Sequence, residues 1–89
     1  MKHNITFVPK AFDNYKEWAV SDKQIFEKIN ELIQNIDRTP FDGIGKPEPL
    51  KHQLKGYWSR RINIEHRLVY QVLDDVKTVK VIRMWSHYE

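Results

Sequence analysis

The C-terminal half of the 89-residue chain gathers one carboxylate, several guanidinium groups and one imidazole in settings that could do acid–base chemistry on a phosphate. Glu48 stands between two prolines in Gly45-Lys46-Pro47-Glu48-Pro49-Leu50-Lys51. Arg60 and Arg61 follow Trp58-Ser59, Arg67 lies in Glu65-His66-Arg67-Leu68-Val69-Tyr70, and His87 is followed by Tyr88. Cleaving an RNA phosphodiester through its own 2′-hydroxyl needs a base for that proton, an acid for the leaving 5′-oxygen, and positive charge on the phosphorane-like transition state. These groups supply all three without a metal.

Each residue also has a plainer reading. Prolines on both sides of Glu48 restrict its backbone and could hold the carboxylate against Lys46 and Lys51, yet a Glu in a Pro/Gly loop is more often simply solvated. An imidazole is the best general acid near neutral pH, but a terminal His taken alone usually carries no role. His3, His52 and His66 show no comparable setting. Arginine suits phosphate because its planar fork donates bidentately and stays charged. Arg60 and Arg61 must point to opposite faces of a regular strand, so at most one can line a site with Arg67 unless the strand bulges. Salt bridges to Glu65 or to Asp74-Asp75 are the structural alternative. Tyr57, Trp58, Tyr70 and Trp85 read as core or half-buried aromatics, and Tyr88 as an exposed ring free to stack on a base.

The elements that must position these groups follow from periodicity. His3 to Val8 reads as a short strand stopped by Pro9, whose fixed φ also suits a first helical turn. Phe12, Tyr15, Trp18 and Ala19 form one helical stripe. Ser21-Asp22-Lys23-Gln24 has the form of a capping box, and Ile25, Phe26, Ile29, Leu32, Ile33 and Ile36 recur at helical period, which predicts a second helix ending near Arg38, before Thr39-Pro40. Residues 41 to 49 hold two of the three glycines and two of the four prolines and read as a restricted loop. Beyond Leu50 the apolar residues alternate: around Trp58–Ile62, Leu68–Leu73 and Val79–Ile82, with Asp74-Asp75 as a turn. The whole chain, residues 1 to 89, reads as one α+β domain, with two N-terminal helices packed on one face of a mostly antiparallel sheet of four to five strands.

Charge distribution says more than the net +3. Residues 1 to 45 carry six Lys/Arg and seven Asp/Glu, residues 46 to 67 carry six against two, and residues 68 to 89 balance. The excess lies in the segment that holds the candidate residues, and a polyanion is its natural partner; a solvated sheet face is the bland alternative. Without cysteine there is neither disulfide framework nor thiolate metal site, so a reducing compartment, the cytoplasm, is the simplest address. No stretch approaches the roughly 20 apolar residues of a membrane span, and the opening residues lack a long apolar run.

Four ordered motifs, Gly45-Lys46-Pro47-Glu48-Pro49-Leu50-Lys51-His52, Gly56-Tyr57-Trp58-Ser59-Arg60-Arg61-Ile62, Glu65-His66-Arg67-Leu68-Val69-Tyr70 and His87-Tyr88, resemble the YoeB/Txe toxins of type II toxin–antitoxin systems, a branch of the RelE-like superfamily. The resemblance extends to Lys28-Ile29-Asn30-Glu31-Leu32-Ile33 and Arg38-Thr39-Pro40-Phe41. It implies a RelE-like microbial RNase fold and an endoribonuclease, needing no cofactor, that cuts mRNA in the ribosomal A site and so inhibits translation. It further implies inhibition by an adjacently encoded YefM/Axe-like antitoxin whose C-terminal tail wraps the active site, contact with operator DNA only through that complex, and no membrane; homodimerisation is left open. By motif, Glu48 corresponds to the general base, Arg67 to the phosphate-stabilising arginine, His87 to the general acid and Tyr88 to the substrate-positioning tyrosine. Lys46, Lys51, Arg60 and Arg61 correspond to RNA-binding basic positions. Glu89, one residue beyond the His-Tyr pair, adds a carboxylate.

The charge map alone would equally suit a non-catalytic basic RNA- or ribosome-binding module, or a domain whose basic groove takes an acidic peptide. The combination of Glu48, Arg67 and His87 favours the enzyme, because a pure binder loses affinity through a carboxylate in its phosphate groove.

Overall fold

Alternation and helical period translate into five strands and two helices in a computed structural model that describes residues 2–86. Strand β1 (Asn4–Phe7) leads into helix α1 (Pro9–Ser21), which opens on Pro9 at a position where no intrahelical N–H is needed. Its buried residues are Ala11 and Trp18. The expected stripe is therefore rotated. Phe12 is 47% exposed and Ala19 is exposed, because the small Ala11 is the side that approaches the sheet closely.

Helix α2 (Lys23–Arg38) buries Ile29, Leu32, Ile33 and Ile36 and ends where Thr39-Pro40 predicts. Its cap is Asp22, not Ser21. Helix α1 continues through Ser21, so the two helices share Asp22 as hinge, and its carboxylate accepts from the Ile25 N–H at 3.2 Å. Aspartate fills that role as well as serine does.

The strands β2 (Glu48–Pro49), β3 (Trp58–Arg61), β4 (Arg67–Leu73) and β5 (Thr78–Arg83) join β1 in one sheet of order β1-β5-β4-β3-β2. Only β1 runs parallel to its neighbour; every other pairing is antiparallel. The turn between β4 and β5 is a single 3-10 turn, Asp74–Val76, as the paired aspartates predict.

Both helices cover one face. Ala11, Trp18, Ile29, Leu32 and Ile36 pack on Leu68, Tyr70, Val79 and Val81, which alternation sends to that side, and on Met84 just beyond β5. Arg67, Gln71, Thr78 and Lys80 thereby fall on the other face. The N-terminal segment is tied to α2 by a buried carboxylate: Asp37 accepts from the backbone N–H groups of Lys2 (3.1 Å) and His3 (2.7 Å) and lies 3.1 Å from His3 Nδ1. Burial pushes the Asp37 carboxyl up, but these donors outweigh it and leave it below the usual carboxylate value. No described helix is long and apolar enough to cross a membrane.

Candidate active site

Register brings the candidate residues together. Glu48 is paired with Ser59, Ser59 with Val69, and Arg61 with Arg67. Opposed residues share a face, as do residues two apart along a strand, so Glu48, Arg61 and Arg67 all lie on the face away from the helices. With strands about 4.8 Å apart and about 3.3 Å per residue, the Cα atoms of Glu48 and Arg67 are about 12 Å apart on the diagonal. Side chains of this length can meet at one phosphate between them.

The segment carrying Glu48 is held by its backbone. The Gly45 carbonyl accepts from the Arg61 N–H at 2.6 Å, and Leu50, buried, donates its N–H to the Tyr57 carbonyl at 2.9 Å. Gly45 has a φ of +80°, and a Cβ there would stand 2.8 Å from Leu32 Cδ2 and 3.2 Å from the Arg61 carbonyl oxygen. Only glycine allows the loop to lie so close to β3. Lys46 follows at a φ of +52°, an uncommon conformation for a side-chain-bearing residue. Lys46, Glu48 and Lys51 are all exposed.

Arg67 is half-buried, and its Nη1 donates to the carbonyls of Asn63 (2.8 Å), His66 (3.2 Å) and Ile64 (3.3 Å). That leaves Nε and Nη2 without a partner among the described residues. The Asn63 side chain orders the loop in turn, accepting from the N–H groups of Glu65 and His66. The alternative of salt bridges to Glu65 or Asp74-Asp75 is not what the molecule does: among the described residues Lys46, Lys51, Arg61 and Arg67 are in no ion pair, and Glu65 lies 3.6 Å from His66 Nε2 instead.

Arg60 corrects the sequence reading. Expected at an RNA-binding position, it is fully buried on the helix side, as strand alternation from Arg61 requires. Its guanidinium makes five hydrogen bonds: Nε to Tyr70 Oη, Nη1 to Asn35 Oδ1 and the Ile44 carbonyl, and Nη2 to the carbonyls of Thr39 and Asp42. No donor remains for a phosphate. Tyr70 passes the network on to the Pro40 carbonyl at 2.6 Å, and burial raises its pKa even against the neighbouring Arg60 charge, so it remains a neutral donor. Arg60 thus clamps residues 39–44, the approach to the Glu48 loop.

Trp85 is half-buried as expected, though beyond the end of β5: it is 37% exposed and stacks on Trp18, with ring centroids 4.1 Å apart. His87 and Tyr88 lie outside the described residues. Sequence reasoning passed over His66, which is buried with its ring edge-on to Trp18 at 4.9 Å and accepts the Ser86 N–H at Nδ1 (2.6 Å). A histidine beside Arg67 carries no sequence signal of that role, since the contact spans 20 residues. A cleft of about 440 Å³ lies between α1 and the segment after β5; Asp13 and Glu17 on its wall are balanced by Lys10 and Arg83, and neither Glu48, Arg61 nor Arg67 lines it.

Two helices on one face of a mixed sheet, with Glu48, Arg61 and Arg67 on the other, define a small α+β protein. The chain belongs to the YoeB-like toxin family of bacterial type II toxin–antitoxin systems, whose model matches residues 7–88. Toxin YoeB of Escherichia coli (strain K12) is 56% identical over 79 residues, 89% of this chain and 92% of the relative. A YoeB dimer from Staphylococcus aureus has a TM-score of 0.91 at 52% identity, covering 99% of this chain and 100% of that one. The heterotetrameric YoeB–YefM toxin–antitoxin complex from Staphylococcus aureus gives 0.88 at 52% identity, with the same coverage.

Proposed function

We propose that this chain is a metal-independent endoribonuclease toxin that cuts mRNA in the ribosomal A site and so blocks translation. The observation that carries the reading is the shared open face of Glu48, Arg61 and Arg67, with its cations unpaired among the described residues. Glu48 takes the 2′-hydroxyl proton, the 2′-oxygen attacks phosphorus, and the bond to the 5′-oxygen breaks. The products are a 2′,3′-cyclic phosphate and a 5′-hydroxyl. Arg67, donating through Nε and Nη2, stabilises the charge on the non-bridging oxygens. His87 protonates the leaving oxygen, and Tyr88 stacks on a base to position the substrate. Lys46, Lys51 and Arg61 attract the backbone on either side.

A free enzyme of this kind would be lethal in its own cytoplasm, so an antitoxin accompanies it. Its acidic tail would fold over the same cations, in keeping with the YoeB–YefM assembly of the Staphylococcus aureus relative. The test is mRNA cleavage on programmed ribosomes by wild type and Glu48→Gln. The amide keeps the shape but cannot accept the proton, so single-turnover cleavage should fall roughly 10²- to 10⁴-fold with ribosome binding retained. Equal rates would remove Glu48 as the base, and binding without cleavage by wild type would favour a non-catalytic module.

A further inference from the structure

The three residues after β5 belong to no strand, yet their backbone is held almost throughout. The Met84 N–H donates to Asn14 Oδ1 (3.0 Å) and its carbonyl accepts from Trp18 Nε1 (2.7 Å). The Trp85 carbonyl accepts from Arg83 Nε (3.0 Å). At Ser86 the N–H donates to His66 Nδ1 (2.6 Å), while the carbonyl accepts from the Arg67 N–H (3.1 Å). Ser86 itself sits in the left-handed region at a φ of +64°, a conformation a non-glycine residue keeps only when its surroundings impose it. Adjacent residues of β4 and its approach thus grip both sides of one residue, the one before His87 in sequence.

From this geometry we infer that His66 is a positioning residue for the cleavage reaction: its Nδ1 fixes Ser86, the residue that precedes the proposed general acid His87 in sequence. The inference rests on the function proposed above. Accepting at Nδ1 requires the tautomer protonated at Nε2 alone.

The test uses two variants of the full chain and two readouts. His66→Phe keeps an aromatic ring against Trp18 but offers Ser86 no acceptor; His66→Asn can place an amide oxygen near the Nδ1 position. In His66→Phe, amide hydrogen exchange at Ser86 should accelerate, and single-turnover cleavage on saturating ribosomes should fall, each by roughly tenfold, the scale of one hydrogen bond. His66→Asn should recover most of both the Ser86 protection and the cleavage rate. An unchanged Ser86 exchange rate in His66→Phe overturns the inference, as does a folded His66→Asn that leaves Ser86 unprotected or has lost the same cleavage rate as His66→Phe. Should His66→Phe fail to fold, His66→Asn still decides. Should wild type fail to cleave mRNA, the proposed function falls while Ser86 exchange still decides the anchor.

Discussion

Replacing Arg60 by lysine separates a structural arginine from an RNA-binding one, because the charge is kept and only the fork is lost. The five donated bonds leave three nitrogens in different directions. A lysine ammonium has three donors at one point, so at least two acceptors among Asn35, Ile44, Thr39, Asp42 and Tyr70 lose their partner. Each lost bond costs about 1 kcal/mol if water replaces it and up to about 3 kcal/mol if the acceptor stays dry. The loop carbonyls lie near the surface, so the lower part of the range applies, and a total of about 2–4 kcal/mol follows. Against a domain stability of about 5–15 kcal/mol this is a large fraction. At about 4–8 °C per kcal/mol for a domain of this size, the melting temperature should drop by roughly 10–30 °C. Calorimetry or circular dichroism on Arg60→Lys measures it directly. A melting curve like that of wild type, combined with a loss of RNA or ribosome binding, would refute the structural assignment and return Arg60 to the binding face.

Arg67→Lys should behave in the opposite way: melting should change little, because one ammonium can still reach the Asn63 carbonyl, while cleavage falls roughly 10²- to 10³-fold for want of a second pair of donors. Equal cleavage would reduce Arg67 to a general electrostatic contributor, and a large melting shift would make it structural. Asp37 holds its proton less readily in the folded chain than in the unfolded one, so its contribution is fully present above the ordinary carboxylate pKa of about 3.9 and fades as pH falls through the lower folded value. Asp37→Asn turns one acceptor into a donor against the Lys2 or His3 N–H and should be destabilised at neutral pH, with the gap to wild type narrowing as pH falls below about 4. A gap independent of pH in denaturant titrations would show that the charge on Asp37 does not matter.

The parts of the fold that the sequence makes legible are those written at short range. Helix α2 is visible because six apolar residues recur at one period, and the Asp74 turn because its residues are local. What is not legible depends on phase or on distant partners. The stripe of α1 differs by one position because close approach selects Ala11 over Phe12, and nothing in the hydropathy of the helix shows which side the sheet approaches. The capping residue shifts from Ser21 to Asp22 because α1 extends one residue into the motif. Arg60 and Arg61 are indistinguishable by type, and alternation predicts opposite faces without saying which is inward. The five acceptors that take Arg60 inward come from helix α2, strand β4 and the loop after α2, 10 to 25 residues away.

The same parity that hides Arg60 explains how stability and chemistry coexist in so small a sheet. Arg60 turns inward and is fully hydrogen-bonded, while Arg61 turns outward with no ion-pair partner among the described residues. His66 and Arg67 repeat the division, one ring packed on Trp18, the other side chain on the open face. Arg61 and Arg67 are directly opposed across β3 and β4, and like charges in that position destabilise a sheet. The inward groups, through the core and the Arg60 network, offset that cost. An anion bound between the two outward arginines would relieve the repulsion and stabilise the folded chain by mass action. On the reading proposed here, the scissile RNA phosphate and the acidic antitoxin tail are alternative occupants of that position, and relief of the repulsion adds to the attraction that either has for the two guanidinium groups.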